Sequence, residues 1–113
     1  MRLLRTDVDE LILEDVFDEY EWDPTKYAIL SHTWLADDEE VKFADLHLPL
    51  EELKAREGWR KVQGSKRQAL RDGLHYIWID TLCIDKSSST ELAEAINSMF
   101  RWYKKSQVCY VYL

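Results

Sequence analysis

The sequence predicts an α/β domain built on a parallel sheet, and three observations carry that expectation. Tyr27-Ala28-Ile29-Leu30, Tyr76-Ile77-Trp78-Ile79 and Val108-Cys109-Tyr110-Val111-Tyr112-Leu113 are continuous apolar runs of strand length. Such runs suit strands buried on both faces. The two intervals between them each carry helical periodicity, and strand–helix–strand alternation implies right-handed crossovers between parallel strands. A chain of 113 residues fits one domain, residues 1–113, and leaves no room for two.

The elements follow in order. Leu3-Leu4 and Leu11-Ile12-Leu13, split by the acidic stretch Asp7–Glu10, suggest an N-terminal β-hairpin. Phe17 to Pro24 is acidic and aromatic, and Pro24 punctuates it as a loop. The Tyr27 strand runs into the polar cluster Ser31-His32-Thr33 and then Trp34. Asp37–Glu40 is expected to be a solvated acidic loop. Phe43, Leu46, Leu48 and Leu50 suggest one or two short helical turns, interrupted by Pro49.

Trp59, Val62, Lys66, Ala69 and Leu70 follow helical spacing, and Gly73 is placed to cap that helix. Lys66 falls on the apolar stripe, where its stem is expected to lie along the core with the ammonium in water. Arg60, Lys61, Arg67 and Arg71 give the same helix a positive face, solvated or turned to an acidic partner. After the Tyr76 strand come Asp80-Thr81-Leu82-Cys83-Ile84-Asp85-Lys86 and three serines. Ser88 with Glu91 reads as a capping box. Leu92, Ala95, Ile96, Met99, Phe100 and Tyr103 then mark a core face, with Glu94, Asn97, Arg101 and Lys104 opposite.

Composition narrows the function classes. Hydrophobic residues make up 46% and charged residues 33%, enough for a packed core. No apolar run approaches the roughly 20 residues of a membrane span, and acids follow Met1 too soon for a signal peptide. The default location is therefore cytoplasmic. Cys83 and Cys109 are expected as free thiols. Net charge is −7 and unevenly distributed: residues 1–57 hold 17 acids and 6 bases (−11), residues 58–113 hold 5 acids and 9 bases (+4). An acidic chain is not a general nucleic-acid binder.

In an open parallel sheet, ligands bind beyond the carboxyl ends of the strands. That rule selects the loops Ser31–Trp34 and Asp80–Asp85. The candidate ligand-binding residues are Ser31, His32, Thr33, Trp34, Asp80, Cys83 and Asp85. His32 could serve as a general base, and Cys83 as a nucleophile beside it. Equally, the hydroxyls and Asp80 could satisfy loop amides, and Trp34 could be core packing. No metal-ligand spacing is present, and no Gly-rich phosphate loop. Catalytic residues stay unassigned.

Tyr27–Trp34, Tyr76–Lys86 and Ser87–Tyr103 resemble, in order and separation, the three signatures of the fungal heterokaryon incompatibility (HET) domain. The resemblance runs the length of the chain. It departs at Leu82 and Lys66, where relatives often carry cysteine, which argues against an obligatory thiol or metal cluster. It implies a signalling module in non-self recognition and programmed cell death, acting through protein partners or self-association. It also implies a flavodoxin-like, Toll/interleukin-1 receptor (TIR)-like three-layer fold. By that analogy NAD or a related nucleotide is a candidate ligand, and the alternative function is a nucleotide-binding or NAD-cleaving enzyme domain. In the family the chain continues to a Trp-rich segment with a Glu-Leu pair, which this sequence does not reach. On the resemblance it therefore reads as a truncated domain, incomplete at its C-terminal end, without NAD turnover of its own.

Overall fold

The computed structural model describes residues 1–15 and 27–112. The loop expected from Phe17 to Pro24 lies outside the described residues. Five strands form one mixed sheet: β1 (Arg2–Arg5), β2 (Leu13–Asp15), β3 (Tyr27–His32), β4 (Tyr76–Ile79) and β5 (Val108–Tyr112). Their spatial order is β2-β1-β4-β3-β5. β3 pairs in parallel with β4 (Ile29↔Trp78) and with β5 (Leu30↔Tyr110).

The N-terminal hairpin forms as expected, with Leu4 opposite Leu13. It is not an appendage. β1 joins the open edge of β4 antiparallel, Leu4 opposite Ile77, so the three expected parallel strands are extended by the hairpin into a mixed sheet. Leu3 and Leu4 are fully buried. Thr6 secures the end of β1, its N–H donating to the His75 carbonyl and its hydroxyl to the Leu74 carbonyl at 2.7 Å.

Four helices follow: α1 (Leu50–Lys54), α2 (Glu57–Arg71), the single turn α3 (Asp80–Cys83) and α4 (Ser89–Lys105). Phe43–Asp45 forms a short 3-10 turn, and Pro49 stands at the N-cap of α1. The buried side of α2 is Gly58, Lys61, Val62, Ser65, Lys66 and Ala69, one face at 3.6-residue periodicity. The helix ends where Gly73 takes φ +79°. Leu74 N–H then reaches the Ala69 carbonyl and Gly73 N–H the Leu70 carbonyl, a Schellman termination that glycine accommodates without strain.

The two long helices lie against opposite faces of the sheet. Lys61 of α2 meets His32 on one face. On the other, Trp78 packs on Trp102 and Tyr103 of α4, with ring centroids 5.5 and 6.1 Å apart. Tyr27 donates to the Trp102 carbonyl on that side. The placement has a topological cause. The β3→β4 and β4→β5 connections run in opposite directions across the sheet, so two right-handed crossovers must use opposite faces.

Three sequence expectations for side chains need correction. Lys66 does not carry its ammonium into water: it is buried and donates to the carbonyls of Val8 (2.8 Å) and Glu10 (3.1 Å). Burial pushes its pKa down, against the raising effect of Asp9, Glu10 and Asp7. On α4, Ile96 and Phe100 are not core; they are 62% and 79% exposed, and the buried contacts come from Ala95 and Trp102. Half of the capping box forms. Ser88 Oγ accepts from Glu91 N–H, but the Glu91 carboxylate turns to Asp85 N–H and to Arg2.

Candidate functional site

The carboxyl ends of β3 and β4 bring two of the selected loops together. His32 closes β3, and Asp80 opens the turn after β4. His32 Nε2 lies 2.7 Å from Asp80 Oδ1. Its other ring nitrogen, Nδ1, lies 2.8 Å from Lys61 Nζ. Lys61 also donates to Glu40 Oε1 (2.6 Å) and to the Thr33 carbonyl (3.1 Å). An ammonium has three protons, and all three are committed. Because the ammonium can only donate, Nδ1 must accept, which leaves the proton on Nε2 to be donated to Asp80.

The network is dry at its centre. The side chains of His32, Glu40 and Lys61 are each 2–3% exposed, and that of Asp80 is 22% exposed. Burial alone would raise the Asp80 carboxyl. The hydrogen bond from His32, then the Lys86 ammonium, outweigh it and hold the pKa below the usual carboxylate value. Lys86 lies 3.8 Å from Asp80 Oδ2 and 3.6 Å from the centre of the Trp34 ring, a cation–π contact. Burial lowers the Lys86 ammonium despite Asp80. Trp34, half exposed, lies parallel to the His32 imidazole, 6.4 Å between centroids.

Gly58 sets how closely the loop carrying Glu40 can approach α2. Its N–H donates to the Glu39 carbonyl at 2.8 Å, and a Cβ there would stand 2.6 Å from that same oxygen. Arg56 clamps the loop from the other side, donating to the Glu40 carbonyl and to Asp45.

Beside the network lies a cleft of about 210 Å³, lined by Trp34, Lys42, Phe43, Thr81, Asp85 and Lys86 among others. The guanidinium of Arg2 covers the Phe43 ring at 4.6 Å and pairs with Glu91. Pockets for drug-sized ligands usually span about 300–1,000 Å³, so this cleft fits one ring or one small anionic group. Among the described residues no His/Cys/Asp/Glu group could hold a metal ion.

The structure distributes the residues selected from sequence unevenly. His32, Trp34 and Asp80 meet in the network, Thr33 supplies a carbonyl to it, and Asp85 lines the cleft. Ser31 turns to the opposite face, toward Tyr103. Cys83 lies in the core, its thiol accepting from Ile79 N–H at 3.4 Å, and burial pushes its pKa up to about 12. A thiol in that state is not an activated nucleophile. Sequence reasoning missed Glu40, Lys61 and Lys86. The expected solvated loop at Asp37–Glu40 is corrected at Glu40, and the expected solvated face of α2 is corrected at Lys61, both 2% exposed. The available signal was spacing: Lys61 and Lys66 sit on the same helical face as Val62 and Ala69.

Comparison with known proteins adds a family. The model of the family "Heterokaryon incompatibility protein (HET)" matches residues 27–113. Vegetative incompatibility protein HET-E-1 of Podospora anserina is 56% identical over 87 residues, which cover 77% of this chain and 6% of that protein. The chain thus spans a small fraction of the curated relative's length. No solved structure gives a significant match.

Proposed function

Since the chain belongs to the heterokaryon incompatibility family, we propose that it forms part of a signalling module for fungal non-self recognition and programmed cell death. The observation that carries a signalling role over catalysis is the closed network. His32 has no free lone pair, Lys61 has no free proton, and the Cys83 thiol is buried and protonated. These groups brace the two loops and the Glu40 segment as one rigid unit, rather than presenting a nucleophile with its base. The module is proposed to act in the cytoplasm, through protein partners or self-association.

We also propose that the domain is of the flavodoxin or TIR-like three-layer type. The parallel strands in the order β4-β3-β5 reproduce the 2-1-3 start of the flavodoxin-like order, with α2 and α4 on opposite faces. The aromatic and cationic lining of the cleft (Trp34, Phe43, Lys42, Lys86) supports the second reading, a nucleotide ligand such as NAD, to the extent of one ring or one phosphate of it.

Two measurements separate these readings. Expression of the folded chain in fungal hyphae is expected to cause growth arrest; normal growth would overturn the signalling reading. Purified chain is expected to release no nicotinamide from NAD. Release that disappears on Asp80→Ala or Trp34→Ala would establish the enzyme reading instead.

A further inference from the structure

The outward face of α2 carries charge that no described residue of the chain engages. Arg60, Gly64, Arg67 and Arg71 follow i, i+4, i+7, i+11 and form a stripe diametrically opposite the buried face of Val62, Ser65 and Ala69. It runs about 16 Å along the helix axis. All four residues are exposed, and among the described residues none of the three guanidinium groups makes a hydrogen bond, ion pair or ring contact. In a chain of net charge −7, three free arginines in one row are unexpected.

Gly64 is the second, independent observation. Glycine inside a helix is destabilising relative to alanine. Gly58, on the buried face, has an internal reason, because a Cβ there collides with the Glu39 carbonyl. Gly64 has none: a Cβ there meets nothing within 4 Å. No contact among the described residues explains a glycine at the centre of the arginine row. It does leave a saddle between Arg60 and Arg67 where another backbone can approach closely.

The complementary charge lies on the N-terminal hairpin turn. Lys66, on the buried side of α2, holds the hairpin turn Asp7–Glu10 against the helix through the Val8 and Glu10 carbonyls. Asp7 is engaged by Arg5; the exposed carboxylates of Asp9 and Glu10 act on the Lys66 ammonium through space but make no direct ion pair among the described residues. Exposed acids on the turn and exposed arginines on α2, with no direct contact between them within one molecule, are complementary charges of the kind a two-fold dimer uses.

We propose that the Arg60–Gly64–Arg67–Arg71 stripe docks the Asp7–Glu10 turn of a second copy of this chain, reciprocally about a two-fold axis. This commits the self-association of the proposed function to one surface. The extended turn of one copy enters the Gly64 saddle of the other, and Asp9 and Glu10 meet the arginines.

Sedimentation of the purified chain at 50 and 500 mM NaCl tests it. A dimer at low salt that dissociates at high salt is expected, because exposed ion pairs are screened. Arg67→Glu/Arg71→Glu and Asp9→Lys/Glu10→Lys should each weaken association by about tenfold or more, and mixing the two charge-reversed proteins should restore it. Gly64→Gln should raise the melting temperature while weakening the dimer, an opposition that a purely structural role for Gly64 does not produce. A chain monomeric at 50 mM NaCl, or a dimer indifferent to all three variants, overturns the proposal. Hyphal arrest by a monomeric chain would sink the stripe and leave the signalling reading standing; a salt-sensitive dimer without arrest would do the reverse.

Discussion

Replacing Lys61 with methionine tests the central claim about the site, that its charges are structural and mutually dependent. Methionine keeps the stem's length and apolar packing but removes three donors at once. The Thr33 carbonyl and His32 Nδ1 lose their donor, and the Glu40 carboxylate keeps one long hydrogen bond, 3.3 Å from Leu35 N–H, with His32 Nδ1 at 3.9 Å. Breaking a buried pair by deleting one member costs about 3–5 kcal/mol, because the remaining charge is left uncompensated. Against a total stability of roughly 5–15 kcal/mol for a domain of this size, that is a large fraction. With a urea m-value of about 2 kcal/mol/M, the midpoint should fall by roughly 1.5–2.5 M. Tryptophan fluorescence at pH 8 reads the transition directly. Lys61→Met/Glu40→Leu removes both charges and should recover part of the loss, leaving about 1–3 kcal/mol for the orphaned His32 nitrogen and the Thr33 carbonyl. A single variant that loses less than about 1 kcal/mol, or a double variant no better than the single, would refute the reasoning.

Two further expectations concern titration. The Asp80 pKa is held below its unfolded value, so its contribution to stability is present above about pH 4 and is lost as pH falls through the folded pKa. Asp80→Asn should therefore flatten the acid side of the stability curve, as thermal melts from pH 3 to 7 would show; an unchanged acid slope contradicts it. The native chain should expose one thiol, Cys109, to a thiol reagent at pH 8, and two after denaturation. Rapid labelling of both in the native state would contradict the burial of Cys83.

What could be read from the sequence follows from which physics is local. The strands at Tyr27, Tyr76 and Val108 and the Gly73 cap declare themselves through short-range pattern, and each is in place. The candidate loops came from a topological rule, and it did bring His32 and Asp80 within hydrogen-bond distance. Long-range pairing was not visible. Nothing in the neighbourhood of Glu40 announces that Lys61, 21 residues later, will neutralise it in the core. The antiparallel docking of β1 on β4 joins segments about 70 residues apart, which periodicity cannot report. Ile96 and Phe100 failed in the opposite direction. Their spacing is right for a core face, but the buried arc of α4 is narrower than its apolar stripe, centred on Ala95 and Trp102.

The hairpin gives the family boundary a physical cost. The match to the family begins at residue 27, yet Leu3 and Leu4 are among the most deeply buried side chains and β1 closes the edge of β4. A fragment cut to the matched residues would not be a smaller version of this fold. It would bare the Ile77 edge of the sheet to any passing strand and strand the Lys66 ammonium without its two carbonyls. The unit that shares similarity and the unit that shares a core are thus different lengths of chain, and the longer one governs solubility.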